Sequence, residues 1–293
     1  MSATRHPLVD AALNDRAALT ARYPEVFNPP VWRRYRAGII VIAMAALLGY
    51  GFYELQFNPA RIWTGLGKLG EFIWFMVPPT TDTWARFFVY LHALAETVAI
   101  AFLGVLFAAI FAFPVGFLAA KNVIPNIVIH FLSRRFLDTI RGVDELIWAL
   151  IWVSVVGLGP FAGVLALVCA NFGTFGKLFS EAIEAADRKA IEGVTSTGGG
   201  LVAGVRFGLL PQVLPVIGGQ VLYFFESNTR SATIIGIVGA GGIGLYLAEQ
   251  IRVLEYQHVS ALILMILVTV AMIDYVSTRL RFALIGREIG APR

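Results

Sequence analysis

The segment Gly239-Ala240-Gly241-Gly242-Ile243-Gly244 matches, letter by letter, the glycine-spaced turn that cradles a dinucleotide pyrophosphate. That chemistry needs a strand before the turn, a helix after it and an acidic residue about twenty positions onward. The run from Val259 to Ile273 contains no acid and reads as a membrane span. The glycines suit tight turning or close backbone packing inside a bilayer instead. Neither Gly67-Lys68 nor Gly176-Lys177 has the upstream glycine or the following Ser/Thr of a phosphate-binding loop, so ATP chemistry is expected in another chain. His6, His92, His130 and His258 are scattered without a second ligand at metal spacing, and Cys169 sits in an apolar run. No nucleophile–base arrangement is recognisable. The expectation is a chain without catalytic residues, resident cofactor or metal.

The remaining chemistry-bearing residues are charges placed among apolar neighbours. Glu226 and Arg230 are four apart, with Asn228 between them. Charge inside a membrane is costly, so such a pair either fixes helix packing or presents positive potential to an anion in a pathway. Arg141 and Glu145 repeat the spacing, as an interfacial pair or a second pathway element. Glu96 and Asp274 lie in apolar runs and call for an interior or interfacial partner.

The elements that must position these residues are membrane helices. Of 293 residues 58% are hydrophobic and 14% charged, with the apolar residues gathered in long uncharged runs. Several runs reach the roughly 20 residues that cross a bilayer. The fold class expected is an all-α polytopic membrane protein of about six transmembrane helices. The spans fall near Ala37–Leu55, Val89–Ala119, Leu146–Leu158, Phe161–Phe175, Pro211 to about 226–230, and Val259–Val276. The division is a cytoplasmic segment 1–36, a first helix 37–55, an extracytoplasmic loop 56–86, a core 87–283 with a cytoplasmic loop at 177–210, and a cytoplasmic tail 284–293. The formal net charge of +4 lies beside the apolar runs, which suits membrane topology rather than nucleic acid.

The most informative stretch is Glu181 to Pro215. EAIEAADRKAIEG reads as one helix, with Glu184–Arg188 and Arg188–Glu192 at i,i+4. Gly198-Gly199-Gly200 ends it, and a second short helix, Leu201 to Leu210, leads to Pro211. Gly200, Gly204 and Gly208 recur every four residues and give that helix a smooth face for close packing. The product is a lever that projects from the membrane.

This lever resembles the cytoplasmic motif of ABC-importer permeases: Glu-Ala-Ala, a glycine six residues after the Glu, and a closing Leu-Pro. Counting from Glu192 puts Gly198 and Leu210-Pro211 in register. The literal Glu184-Ala185-Ala186 is out of register, and the chain departs from the motif at Gly193, Val194 and Gly208. Further segments, RGVDELIWALIWVSVVGLGPFAGVLAL, GKLFSEAIEAAD and FESNTRSATIIGIVGAGGIG, resemble the phosphonate-class permeases, relatives of the methionine-type group. The similarity covers about Leu91 to Arg281. It implies a type I importer fold in a bacterial inner membrane and a pore built with a second copy of the chain. It also implies two ATPase subunits that use ATP and Mg, and an extracytoplasmic solute-binding protein. The implied substrate is a phosphonate or related phosphorus oxyanion. Competing readings are a methionine- or amino-acid-type importer, an intramembrane enzyme using Glu96, Asp274 or His92, and a membrane scaffold.

Overall fold

A computed structural model describes residues 20–21, 31–56 and 58–289. Most of the expected N-terminal segment and the end of the tail lie outside the described residues. The described chain is helical throughout its regular structure and divides into two units, Met1–Glu71 and Phe72–Arg293.

α1 (Val31–Glu54) lies in the first unit and is followed by α2 (Pro59–Phe75), whose last four residues belong to the second. The stretch expected to be an outer loop, 56–86, therefore holds a helix. Its start is encoded locally: the Asn58 side chain accepts from Ala60 N at 2.9 Å, and proline takes the first helical position, where no amide is needed. From Gly38 on, α1 and α2 together are apolar enough for one membrane crossing, bent by 57° between them.

The second unit contains α3 (Trp84–Ala119), α4 (Ile127–Arg141), α5 (Glu145–Val156), α6 (Pro160–Ala185), α7 (Arg188–Ser196), α8 (Leu201–Ile237), α9 (Ile243–Arg252) and α10 (Tyr256–Ile289). Thr83, Asn126, Asp144 and Asp187 cap α3, α4, α5 and α7, each side chain accepting from a first-turn amide. Among the described residues, α3, α6, α8 and α10 are each long and apolar enough to cross a bilayer, and the α1–α2 pair raises the number to five.

The expected third span needs correction. Residues 146–158 correspond to α5, whose 12 residues reach only about 18 Å, short of a bilayer core. The rest of the length beside α6 is supplied by α4, which falls between the expected second and third spans. His130 Nδ1 lies 2.8 Å from Ala119 O, and Arg134 pairs with Glu184 at 2.8 Å, which places the start of α4 beside the ends of α3 and α6. Farther along, the Leu137 carbonyl and Arg141 backbone pack against Gly173. α4 and α5 in tandem thus run the length of α6, to the Gly157–Pro160 turn.

α6 forms the axis of the unit. α3 packs on it through small residues: a Cβ added at Gly104 would lie 2.6 Å from Leu167 Cβ, and one at Gly116 would lie 2.9 Å from Phe179 Cβ. Ala101, Ala108, Ala112 and Ala119 of α3 are wholly buried. Lipid gives helices no hydrophobic reason to associate, so close backbone approach supplies the contact energy. Phe175, Phe179 and Ile183 of α6 join Leu209, Val213 and Ile217 of α8 in the largest apolar cluster.

Candidate functional site

The lever exists, but its joints differ from those expected. α6 stops at Ala185 because Ala186 turns extended, and Asp187 caps a new helix by accepting from Lys189 N at 3.0 Å. EAIEAADRKAIEG is therefore two helices. Glu184 pairs with Arg134, not Arg188, and also accepts from Lys121 N at 2.9 Å. The far end of α7 behaves as the glycines demand. Gly198 adopts φ +87°, and Gly199 N donates to Val194 O at 3.2 Å, closing the helix. The second short helix proves to be the start of α8. Gly204–Leu209 forms a π turn in which Leu210 N donates to Val205 O, immediately before Pro211, so Leu210 and Pro211 lie inside a continuous helix.

The glycine stripe packs, though not along its full length. A Cβ at Gly208 would lie 2.9 Å from Ile191 Cα and 3.0 Å from Ala190 O; one at Gly204 would lie 3.2 Å from Ile191 Cγ2; Gly200 meets nothing within 4 Å. Two of the three glycines thus seat α7 against α8. Glu192 is exposed on α7, as are Arg188 and Lys189. Sequence reasoning missed Gln212. Its Oε1 accepts from Asp187 N at 3.0 Å, while its Nε2 donates to Asp187 O at 3.2 Å and Gly208 O at 2.7 Å. One side chain ties the base of α7 to α8. No local signal marks it, because Asp187 is 25 residues away.

The candidate pathway residues separate into different roles. Glu226, 11% exposed in its side chain, pairs with Arg230 at 3.1 Å and Arg281 at 3.5 Å, and Arg230 is half exposed. Asn228 is buried and exchanges amide hydrogen bonds with Asn171 at 2.9 and 3.1 Å, locking α6 to α8 rather than lining an open path. Arg141 and Glu145 do not form the expected helical pair, because the Gly142–Asp144 break puts them on different helices. Glu96 accepts from Gly242 N at 3.0 Å, Thr97 accepts from Ile243 N at 2.8 Å, and both anchor the glycine loop to α3. Asp274 is exposed and accepts from Thr278 Oγ1 at 3.4 Å.

A cavity of about 700 Å³ opens between the end of α4, α6, α8 and α10. Its polar lining includes Arg141, Lys177, Glu181, Gln220, Tyr223 and Arg281. Asp138 holds Lys177 at 3.1 Å, and Glu226 reaches Arg281 from behind. Of the expected pathway residues Arg141 lies on this wall. Lys177 and Arg281 went unseen as site residues because Lys177 opens the expected cytoplasmic loop and Arg281 follows the end of the expected last span.

Residues 112–287 match the family model described as binding-protein-dependent transport system inner membrane component. The phosphite transport system permease protein PtxC of Stutzerimonas stutzeri is 33% identical over 250 residues, 85% of this chain and 89% of that protein. The phosphate-import permease protein PhnE of Mycolicibacterium smegmatis is 35% identical over 262 residues, 89% of this chain but 49% of that longer protein. An inward-facing structure of the MetNI methionine ABC transporter superposes with a TM-score of 0.61 over 69% of this chain and 99% of the other, at 20% identity, a likeness of fold. With its long apolar helices and its helical lever, the chain belongs to the binding-protein-dependent transport system inner membrane component family, and is a multi-pass permease subunit rather than an enzyme.

Proposed function

We propose that the chain forms the membrane path of an ATP-driven importer of phosphorus oxyanions, phosphite and phosphonates among them. Two copies pair in the bacterial inner membrane, two ATPase subunits dock on the cytoplasmic side, and a solute-binding protein delivers substrate from outside. ATP and Mg belong to the ATPases. The observation that carries this reading is the joint between α7 and α8. The exposed Arg188, Lys189 and Glu192 are free for a partner, while Ile191 rests on Gly204 and Gly208. A push on α7 passes into α8, which carries Glu226 and one wall of the basic cavity. The names of the relatives, phosphite and phosphate permeases, favour this substrate class.

The test is uptake of labelled phosphite by vesicles holding this chain, its ATPase and its binding protein. Uptake should require ATP and be competed by methylphosphonate but not by methionine. Competition by methionine alone would replace the oxyanion reading with the amino-acid one.

A further inference from the structure

We infer that the cavity between α4, α6, α8 and α10 is a station for the tetrahedral oxyanion during passage, with Arg141 as its free cation. The inference rests on the proposed transport function and assigns a binding role to particular side chains. Three cations, Arg141, Lys177 and Arg281, meet at one wall with a single lining carboxylate, Glu181. Their roles differ. Lys177 is held by Asp138, and Arg281 is held by Glu226 and Thr278 while its guanidinium lies 5.8 Å from the Tyr223 ring centroid. Arg141 makes no ion pair or hydrogen bond with another side chain among the described residues, so its whole fork of donors is available. Such a fork matches two oxygens of a phosphorus oxyanion.

The second observation is a pair of unsatisfied polar atoms on the same wall. Gln220 Oε1 and Arg281 Nε are shielded from solvent and have no hydrogen-bond partner. A buried donor or acceptor without a partner is costly, and native proteins leave few of them. Both side chains line the cavity, so a bound anion meets them once the Gln220 amide rotates and the Arg281 guanidinium exchanges its long contact with Glu226 for the anion. The Nε–H then donates to an oxygen, and the amide accepts from the P–O–H of a monoanion or donates through its Nε2. Phosphite and alkylphosphonates share this chemistry, and so does an anionic lipid headgroup.

The experiment compares variants of the complete complex in phosphatidylcholine vesicles. It measures initial uptake of labelled phosphite, ATP hydrolysed per phosphite imported, and assembly by co-purification of the ATPase. Arg141→Gln should lower uptake about tenfold and raise the ATP spent per phosphite, while Arg141→Lys stays within about threefold of wild type. Gln220→Glu, which conserves volume but adds like charge, should lower uptake about tenfold, and the neutral Gln220→Met less. Should Arg141→Gln fail to assemble, the Gln220 pair decides. Wild-type uptake in both Arg141→Gln and Gln220→Glu would overturn the station. An effect of Arg141→Gln that appears only when anionic phospholipid is added would overturn it too, because the ligand would then be a headgroup. A wild-type complex that imports no phosphorus oxyanion removes the proposed function itself, a different result from import that ignores these side chains.

Discussion

The two ends of the second unit are both built on glycine, yet the glycines do different work. At one end, Gly239, Gly241 and Gly242 take positive φ, and the loop is wedged among backbones: a Cβ at Gly241 would lie 2.7 Å from Pro160 N, and one at Gly244 would fall on the Thr233 carbonyl. Glu96 and Thr97 add side-chain anchors from α3. At the other end, Gly204 and Gly208 lie in the π turn without positive φ and touch a single short helix, which is otherwise held by Gln212. The first arrangement welds several helices together. The second makes a seat that transmits motion between two.

Breaking the weld should cost the most. Gly242→Ala adds a side chain at φ +74° and drives its Cβ onto Thr97 Oγ1, so the folded protein should lose about 3 kcal/mol or more. The midpoint of thermal unfolding in detergent measures this. A midpoint within about 2 °C of wild type would show that the loop yields and that the contrast between the ends is false.

Gly208→Ala comes next, and its signature is functional. The added methyl meets the Ile191 backbone, which cannot rotate away, so α7 must lift from α8. Uptake should fall about tenfold while the unfolding midpoint changes little, since alanine gains about 1 kcal/mol of helix propensity. A large loss of stability with unchanged uptake per assembled complex would make this seat a weld as well.

Gln212→Ala sharpens the same point. It removes two hydrogen bonds to Asp187 at the base of α7 and one within α8 to Gly208 O, each contributing about 1 kcal/mol. Amide hydrogen exchange in Arg188–Ser196 should speed up about tenfold, with exchange in α3 unchanged. Equal acceleration in both helices would mean that Gln212 supports the whole unit.

Gly204→Ala should be milder, about threefold in uptake, because the neighbour at 3.2 Å is a methyl branch of the Ile191 side chain, which can shift where backbone cannot. Gly200→Ala meets nothing within 4 Å and should transport as wild type. Any loss there would show that this part of the stripe touches a partner outside the chain.

Sequence reading served the weld and the seat unequally. The cores of α3 and α10 were legible because unbroken apolar runs admit one interpretation in a bilayer. The glycine loop was also legible, once the missing strand and acid removed the nucleotide alternative. Glu192, Gly198 and Pro211 marked the lever by spacing, and Gly198 does turn the chain with positive φ. The break at Ala186-Asp187 was hidden because every residue of EAIEAADRKAIEG tolerates a helix, and the cap at Asp187 competes with continuation by only about 1 kcal/mol. α4 fell outside the expected spans because Arg134 and Asp138 look like solvated charges. Their partners Glu184 and Lys177 lie 50 and 39 residues away. The cavity was illegible for the same reason: Arg141, Lys177 and Arg281 converge only after three helices have packed.

The π turn at Gly204–Leu209 also bears on how such chains are aligned. A π turn holds about one residue more than an α turn of the same rise, so the helix around it carries an insertion that leaves no gap in its path. Positions before the turn are out of step by about 100° with an α-helical count carried back from Pro211. A homologue shorter by one residue here can therefore keep both the α7 seat and the Glu226 face in place with an unbroken α-helix. Aligned by letters alone, it would show a deletion at the start of a membrane helix; aligned by the faces it presents, it would show none.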